Sequence, residues 1–264
     1  MINNLKSYIK EQIAHTDWFC AEIQAAKVQA IRDAAFEPYE KQLDIKGINA
    51  KFLFATPQAR EWYDPIKPYA KLEYEWVVNH VPLREQKVID VGAHHGQYSI
   101  VFALAASREC DLVSVDPYPM NCLLTEANLL LNGIKAQIVQ CAVADKDGQV
   151  FFEKQSNGRI ITDGGMLVNS RTIHSLLPNA DVVKLDVEGA EYIILPDALE
   201  TLRSVHTWII EIHPIGNPHP NELIDLLLAK DYNVLYVNRQ KNVVEPYDFD
   251  TEWNVHSTIF AQKK

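Results

Sequence analysis

Two apolar stretches of this 264-residue chain end in pairs of polar residues that can move protons or hold cations. Asp186 and Glu188 follow V-V-K-L, and Glu211 and His213 close W-I-I-E-I-H. Side chains on a strand alternate with period two, so each pair shares a face. Polar groups at the tips of apolar strands are costly unless they are paired or open onto a site. A histidine of ordinary pKa is partly neutral near pH 7 and can accept a proton, which makes His213 the candidate general base, with Asp186 orienting the base or a substrate. Asp186, Glu211 and His213 are also a donor set for Mg²⁺, a hard cation that takes oxygen ligands, and this is the alternative rather than the expectation. For at least one carboxylate the role is structural, with Glu188 and Glu191 capping or pairing on the following helix.

A second constellation runs from Val88 to Gly96, V-I-D-V-G-A-H-H-G. The β-branched run through Asp90 reads as a buried parallel strand, and Gln97 to Ala106 repeats apolar residues at helical spacing. A strand, glycine turn and helix make a nucleotide cradle, in which Gly92 and Gly96 permit positive φ and the free amides of the helix start face a polar ligand. The dinucleotide pattern G-x-G-x-x-G is missing, because Ala93 and His94 stand where its second glycine falls. A pyrophosphate ligand is therefore disfavoured against one with a smaller, less anionic linker. The next apolar run, Leu112 to Val115, ends in Asp116, a carboxylate able to accept from both hydroxyls of a ribose. Isolated Asp residues after strands are more often caps, but two of them beside Gly92 favour a ligand.

The elements that must position these groups are legible as alternation. After a helix over Glu73–Val81 come helix Gln97–Ala106, strand Leu112–Val115, helix Pro119–Asn132 and strand Ala136–Val143, which implies a parallel sheet. The rhythm breaks where Asp147-Gly148 and Gly164-Gly165 flank short antiparallel strands joined by a turn-rich stretch. It resumes with strand Asp181–Val187, a helix that Pro196 should kink or end, strand Thr207–Ile212 and helix Asn221–Lys230. Strands Asn233–Val237 and His256–Ala261 lack a helix between them, so the last runs antiparallel. Ahead of this core, Leu5–Phe36 carries an irregular apolar stripe of helical character, and Leu43–Ala55 reads as a hairpin. Trp62, Tyr63, Tyr69 and Tyr74 are as suited to a lid over a ligand as to packing. The division expected is residues 1–72 as a helical extension and lid region, then 73–264 as the main domain.

Charge and composition narrow the partners. Hydrophobic residues make up 47% and charged residues 23%, an ordinary globular balance. The net charge of -10 and the lack of a Lys/Arg run argue against nucleic acid, whose binding draws on phosphate neutralisation. Cys20, Cys110, Cys122 and Cys141 show no paired spacing and fit reduced thiols of a cytoplasmic protein. The polar start and the lack of a long apolar run argue against a secretory signal or a membrane partner.

A strand-tip Asp with glycines, an acidic second strand and a terminal hairpin resemble the class I S-adenosylmethionine-dependent methyltransferases. V-K-L-D-V-E-G-A-E at Val183–Glu191, preceded by R-T-I-H-S-L-L at Arg171–Leu177, narrows the resemblance to the FkbM family, known chiefly for O-methylation of sugars and polyketide natural products. The likeness covers about Tyr74 to Pro214. It implies a Rossmann-like seven-stranded α/β sheet, mostly parallel with an antiparallel last strand and helices on both faces. It implies S-adenosyl-L-methionine as cofactor, with Asp90, Gly92 and Gly96 at its methionine end, Asp116 on the ribose, and Ala142 and Val143 beside adenine. Glu75, Ala93, His94, Tyr98, Ser99, Pro117 and Asp186 complete the candidate cofactor set. His94 and His95 depart from the family pattern. Adjacent residues point in different directions, so one of the two at most should reach a ligand, and His174, His206, His219 and His256 read as surface or packing residues.

The function implied is methyl transfer to a hydroxyl of a small molecule, with Gln155–Met166 able to close as a lid on Gly158, Gly164 and Gly165. D-V-E-G at the end of the fourth strand differs from the Asp/Asn-Pro-Pro-aromatic pattern of amino-group methylation. The alternatives are a nicotinamide oxidoreductase and a catalytically silent nucleotide-binding module. Packing on the main domain as a structural cap is the favoured cover for the N-terminal apolar stripe, and a homo-oligomer through those helices is the alternative.

Overall fold

The computed structural model describes residues 35–214, 218–251, 253 and 256–264. The expected helical stripe, apart from its last two residues, lies outside the described residues, and so do Cys20 and the association expected through those helices. Two compact units are present. The described part of the smaller comprises 35–39 and 54–65, and the larger comprises 40–53 and the chain from 66 onward. In the smaller unit, Thr56 starts a short helix, α1 (Pro57–Tyr63), by accepting from the Ala59 amide at 3.0 Å. Tyr39 stacks on Phe54 at 4.8 Å and donates to Asp64 at 2.7 Å. Trp62 and Tyr63 belong to this unit.

Strands β1 (Tyr39–Ile45) and β2 (Ile48–Phe54) form the expected hairpin as a two-stranded sheet. Helix α2 (Pro68–His80) starts on a proline, whose missing N–H costs nothing there, and runs five residues ahead of its expected start. The alternation then follows the pattern: β3 (Lys87–Val91), α3 (Gln97–Ala105), β4 (Asp111–Asp116), α4 (Pro119–Leu131) and β5 (Gln137–Gln140). The chain leaves this sheet at Cys141. β6 (Ala142–Val143), β7 (Gly148–Phe152), β8 (Ile160–Ile161) and β9 (Met166–Arg171) build a separate four-stranded sheet in the order β6-β9-β7-β8. Ala142 and Val143 therefore pair with Ser170 and Arg171 instead of prolonging β5 as expected.

After a single turn, α5 (Ile173–Leu176), the main sheet resumes with β10 (Val182–Leu185), α6 (Glu191–Thr201), β11 (Thr207–Ile212), α7 (Asn221–Ala229), β12 (Tyr232–Asn238), β13 (Val243–Pro246) and β14 (Ser257–Lys263). Pro196 lies inside α6, which continues past it to Thr201. The main sheet has eight strands in the order β13-β12-β14-β11-β10-β3-β4-β5. The seven expected strands are joined by β13, an edge strand within the last connection, which pairs antiparallel with β12. The final strand is antiparallel as expected, and it is inserted between β11 and β12.

β10 and β11 are buried along most of their length, which is why they read as unbroken apolar runs. Val183, Leu185, Trp208, Ile210 and Ile259 belong to one continuous core with Ile194 and Leu195 of α6. One face departs from this pattern. Register sets Lys184 level with Asp90, and Asp90 level with Ser114.

Two buried asparagines, Asn128 of α4 and Asn132 just past its end, hold the hairpin. Asn128 accepts from the Leu53 amide at 2.7 Å and donates to the His95 carbonyl at 2.9 Å, and Asn132 bonds both backbone groups of Lys51. Replacing Asn128 with Ala orphans the part-buried Leu53 amide and the buried His95 carbonyl. The expected loss is about 2 kcal/mol of unfolding free energy, read by urea denaturation, with faster amide exchange at Leu53.

Candidate active site

The site is built around a buried lysine. Lys184 is 5% exposed, and its Nζ lies 3.4 Å from Asp90 Oδ1 and 3.2 Å from Asp186 Oδ2 while donating to the Gly92 carbonyl at 2.7 Å. Burial opposes its charge, but Asp186 and Asp90 hold its pKa above the ordinary lysine value. Asp186 is subject to the same opposition, and Lys184 and His213 hold it below the usual carboxylate range. Asp90 is fully buried and takes a 2.6 Å bond from Ser99, which also meets Ser114 at 2.8 Å. Ser99 thus supports Asp90 from beneath.

The loop after β3 is fastened on both sides. The Gly92 and Ala93 amides donate to the Val115 carbonyl at 2.9 and 3.0 Å. Gly92 has φ +74°, and a Cβ there would stand 1.8 Å from the Asp186 carbonyl oxygen. Gly96, at φ +81°, would press on Thr125 of α4 at 3.1 Å. Both glycines are thus required by the chain's own packing. Helix α3 starts on Gly96 with no side chain bonded to its first amides.

Asp116 accepts from the amides of His94 (2.9 Å) and Tyr118 (2.8 Å) and from Asn121 Nδ2 (3.0 Å). Burial pushes its pKa up to about 7, against those three donors. A carboxylate offers about four acceptor positions, so among the described residues one remains, on Oδ2. Pro117 follows, half-buried, and Ala142 and Val143 are buried beyond it.

His94 and His95 do not diverge. His94 has φ +51°, and the two rings stack at 3.9 Å. The left-handed backbone brings neighbouring side chains together, which period-two reasoning does not anticipate. His94 Nε2 lies 2.7 Å from Ser156 Oγ, tying the turn of the second sheet to the loop. Burial, His95 and Lys184 hold the His94 pKa well below its ordinary value, and burial takes His95 down to about 4.

Beyond Lys184 the strand tips carry a carboxylate cluster. Glu73, turned inward from α2, accepts from Tyr98 at 2.8 Å and from Thr258 at 2.9 Å. Glu75, expected in the site, is not brought there: two residues further around the helix, it pairs with Lys71 at 3.8 Å on the outer side. Lys184 stands 5.5 Å over the Tyr98 ring. Arg239 bonds Glu211 at 2.7 Å and lies 3.9 Å over the Tyr69 ring. Tyr74 is buried and donates to Gln97 at 2.6 Å, a packing role.

His213 meets Glu191 through Nδ1 at 2.8 Å and Glu188 through Nε2 at 3.5 Å. Burial opposes its charge, but the Glu191 bond and the Glu191, Asp186 and Glu211 charges take its pKa up to about 10. The reading of His213 as a base of ordinary pKa is corrected here, because both ring nitrogens face carboxylates and the ring holds its proton at neutral pH. Glu191 also accepts from the Val187 amide at 3.2 Å, the helix-start role expected for one of these carboxylates. Burial takes Glu188 up to about 7, and burial with Asp186 and Glu73 takes Glu211 up to about 8.

His256, read from sequence as a surface or packing residue, stands in the cluster. Its Nε2 is 3.3 Å from Glu211 Oε1 and its ring stacks on His213 at 5.4 Å. Pairing of Glu211 with Thr258 and Ile212 with Ser257 delivers His256 to the end of β11. Burial, Arg239 and His213 lower its pKa to about 4.

The sheet order, the glycine loop after the central strand and the acidic strand tips define a Rossmann-like methyltransferase. The methyltransferase FkbM domain model matches residues 90–234, more than half of the chain, and the chain belongs to that family. Similar solved structures include an FkbM methyltransferase from Methylobacillus flagellatus (14% identity, 74% of this chain and 48% of that one, TM-score 0.49). A 16S rRNA methyltransferase of T. thermophilus in complex with AdoMet and guanosine is similar at 14% identity over 86% of this chain and 51% of that one, TM-score 0.51. An Agrobacterium tumefaciens SAM-dependent methyltransferase matches at 13% identity over 87% and 71%, TM-score 0.50. The chain spans about half the length of the first two. No curated protein matches the sequence. Among the described residues no helix is long and apolar enough to cross a membrane. The nicotinamide oxidoreductase alternative gives way to the methyltransferase family.

Removing the Lys184 ammonium leaves two carboxylates, one fully buried, without their shared cation. Lys184→Met is expected to cost about 3 kcal/mol of unfolding free energy or more, measured by urea denaturation at pH 7, with Lys184→Arg recovering part of it.

Proposed function

We propose that the chain transfers the methyl group of S-adenosyl-L-methionine to a hydroxyl of a small molecule, at the carboxyl ends of β3, β4, β10 and β11. The observation that carries the small-molecule reading is the carboxyl-rich rim: Asp186, Glu188 and Glu211 gather around His213 at the strand tips, with Lys184 and Arg239 already engaged on carboxylates. A phosphate backbone finds Lys184 and Arg239 already taken, and hydroxyl groups find hydrogen-bond partners among the carboxyl groups. The chain's -10 charge acts in the same direction.

The residues fit the cofactor. The uncapped start of α3 offers amides to a carboxylate, the strand-tip Asp116 keeps an acceptor position for a ribose hydroxyl, and Asp90 is locked in place by Ser99 and Lys184. When bound, the cofactor supplies a methyl group on a positively charged sulfur. The protein must place the acceptor oxygen in line with it and receive the hydroxyl proton as the new O–C bond forms, while the S–C electron pair stays on sulfur. His213, already protonated, orients Glu188 and Glu191. His256, kept neutral beside Glu211, is then the group to take that proton, and Asp186 steers the acceptor.

Two results test the reading. Calorimetry should show micromolar binding of S-adenosylmethionine that Asp116→Ala weakens by at least about tenfold. Below pH 7 a protonated Asp116 presents a donor where the ribose needs an acceptor, so affinity should fall by up to about tenfold per pH unit, and Asp116→Asn should abolish that dependence. In the second, release of S-adenosylhomocysteine is followed with a panel of sugars and phenols beside total RNA. Turnover with a hydroxyl compound supports the proposal, and methylation confined to RNA overturns it.

A further inference from the structure

We propose that Asp186, Glu188 and His213 form a site for a divalent cation of the Mn²⁺ class, through which the acceptor is gripped by two neighbouring oxygens. This rests on the small-molecule reading and narrows its substrate to a vicinal diol or similar chelating group.

One ligand atom from each of the three residues lies within 4.8 Å of the others. Two ligands each about 2.2 Å from one ion stand at most about 4.4 Å apart, so closing on an ion takes shifts of a few tenths of an ångström. His213 Nε2 and Glu188 Oε2 are already 3.5 Å apart, near the roughly 3.1 Å subtended by two adjacent bonds of that length, and the ion takes the place of the Nε2 proton that otherwise faces Glu188, which is released to solvent on binding.

The arrangement behind His213 is an independent sign. Glu191 is fully buried and fixes Nδ1 at 2.8 Å, which orients the ring with Nε2 toward Glu188, as outer carboxylates do for metal-bound histidines. Its second oxygen is also buried and has no hydrogen-bond partner among the described residues. Around the site Asp90 and Asp186 meet Lys184, Glu73 and Glu211 meet Arg239, and Glu188 and Glu191 meet His213, so carboxyl groups outnumber the basic side chains two to one in these contacts.

Glu211, His213 and His256 satisfy the same distance condition. Arg239 occupies Glu211 Oε1 at 2.7 Å, however, and an ion there would have to displace it. Lys184 can stay on Asp186 Oδ2, because Asp90 and the Gly92 carbonyl hold it from the other side. One imidazole and two carboxylates suit Mn²⁺ or Fe²⁺ better than Ca²⁺, and three protein ligands leave positions open for substrate oxygens.

The test is calorimetric titration of MnCl₂ into the chelator-treated full chain, with S-adenosylmethionine titrated in a parallel sample. One Mn²⁺ per chain is expected in the micromolar range, weakened at least about tenfold by Glu188→Gln and by His213→Asn and unchanged by Glu200→Gln, which is exposed near the C-terminal end of α6 and paired with Lys230. Glu188 is partly exposed, so its variant is informative even where the His213 change impairs folding. No Mn²⁺ binding, or binding that Glu188→Gln leaves intact, overturns the inference. If the cofactor still binds, that result leaves the methyl-transfer reading standing, whereas loss of cofactor binding by the wild-type chain overturns that reading separately.

Discussion

The buried ammonium of Lys184 is the interaction on which the rest of the site depends. It touches the two aspartates that close adjacent strands and the carbonyl of the glycine that opens the loop. At an effective dielectric of about 20, each contact near 3.3 Å has a gross attraction of about 5 kcal/mol, and taking each ion out of water costs a comparable several kcal/mol. The net stabilisation is therefore small. The charge fixes geometry: Asp90, Asp186 and the Gly92 peptide cannot drift apart without exposing a buried charge to an apolar sheet.

That constraint explains why Gly92 has no alternative. The close approach that sequence reasoning reserves for a ligand is occupied by the Asp186 backbone, 1.8 Å from where a Cβ would stand. Loop, lysine and second aspartate form one unit spanning β3 and β10, and the Asp186 amide closes it on the Val91 carbonyl at 3.1 Å. The glycine thus serves the ligand indirectly, by letting the two strand tips meet.

Much of the fold was legible because its strands are apolar runs between helices of regular period, and burial of both sheet faces enforces that pattern. The parallel strands, the antiparallel break and the reversed last strand followed from it, and so did Asp90, Asp116 and Asp186 at strand tips. What escaped was set by register or phase. Glu73 and Glu75 look alike in sequence, yet Glu73 shares the inward side of α2 with Tyr74 and Val77, and the apolar phase of the helix held that information. Lys184 was visible as a lone cation in a four-residue buried strand, a signal that only pairing with Asp90 makes sense of. His256 had no local signal, because its place depends on β14 pairing with β11, far apart in the chain.

Non-glycine residues in the left-handed region mark the same end of the sheet. His94, at φ +51°, and Glu188, at φ +53°, sit on the turns after β3 and β10. Such backbone costs of order 1 kcal/mol or more at each residue and persists where neighbours over-determine it. At His94 the amide donates to Asp116, the carbonyl accepts from Thr125 and the ring meets Ser156. At Glu188 the carboxylate faces His213, itself fixed by Glu191. A turn free to relax would turn these side chains away, so the contacts that hold the strain also hold the imidazole and the carboxylate toward the crevice. The two strained turns flank Lys184, and the ammonium that ties their strands together is what keeps both turns in register with the site.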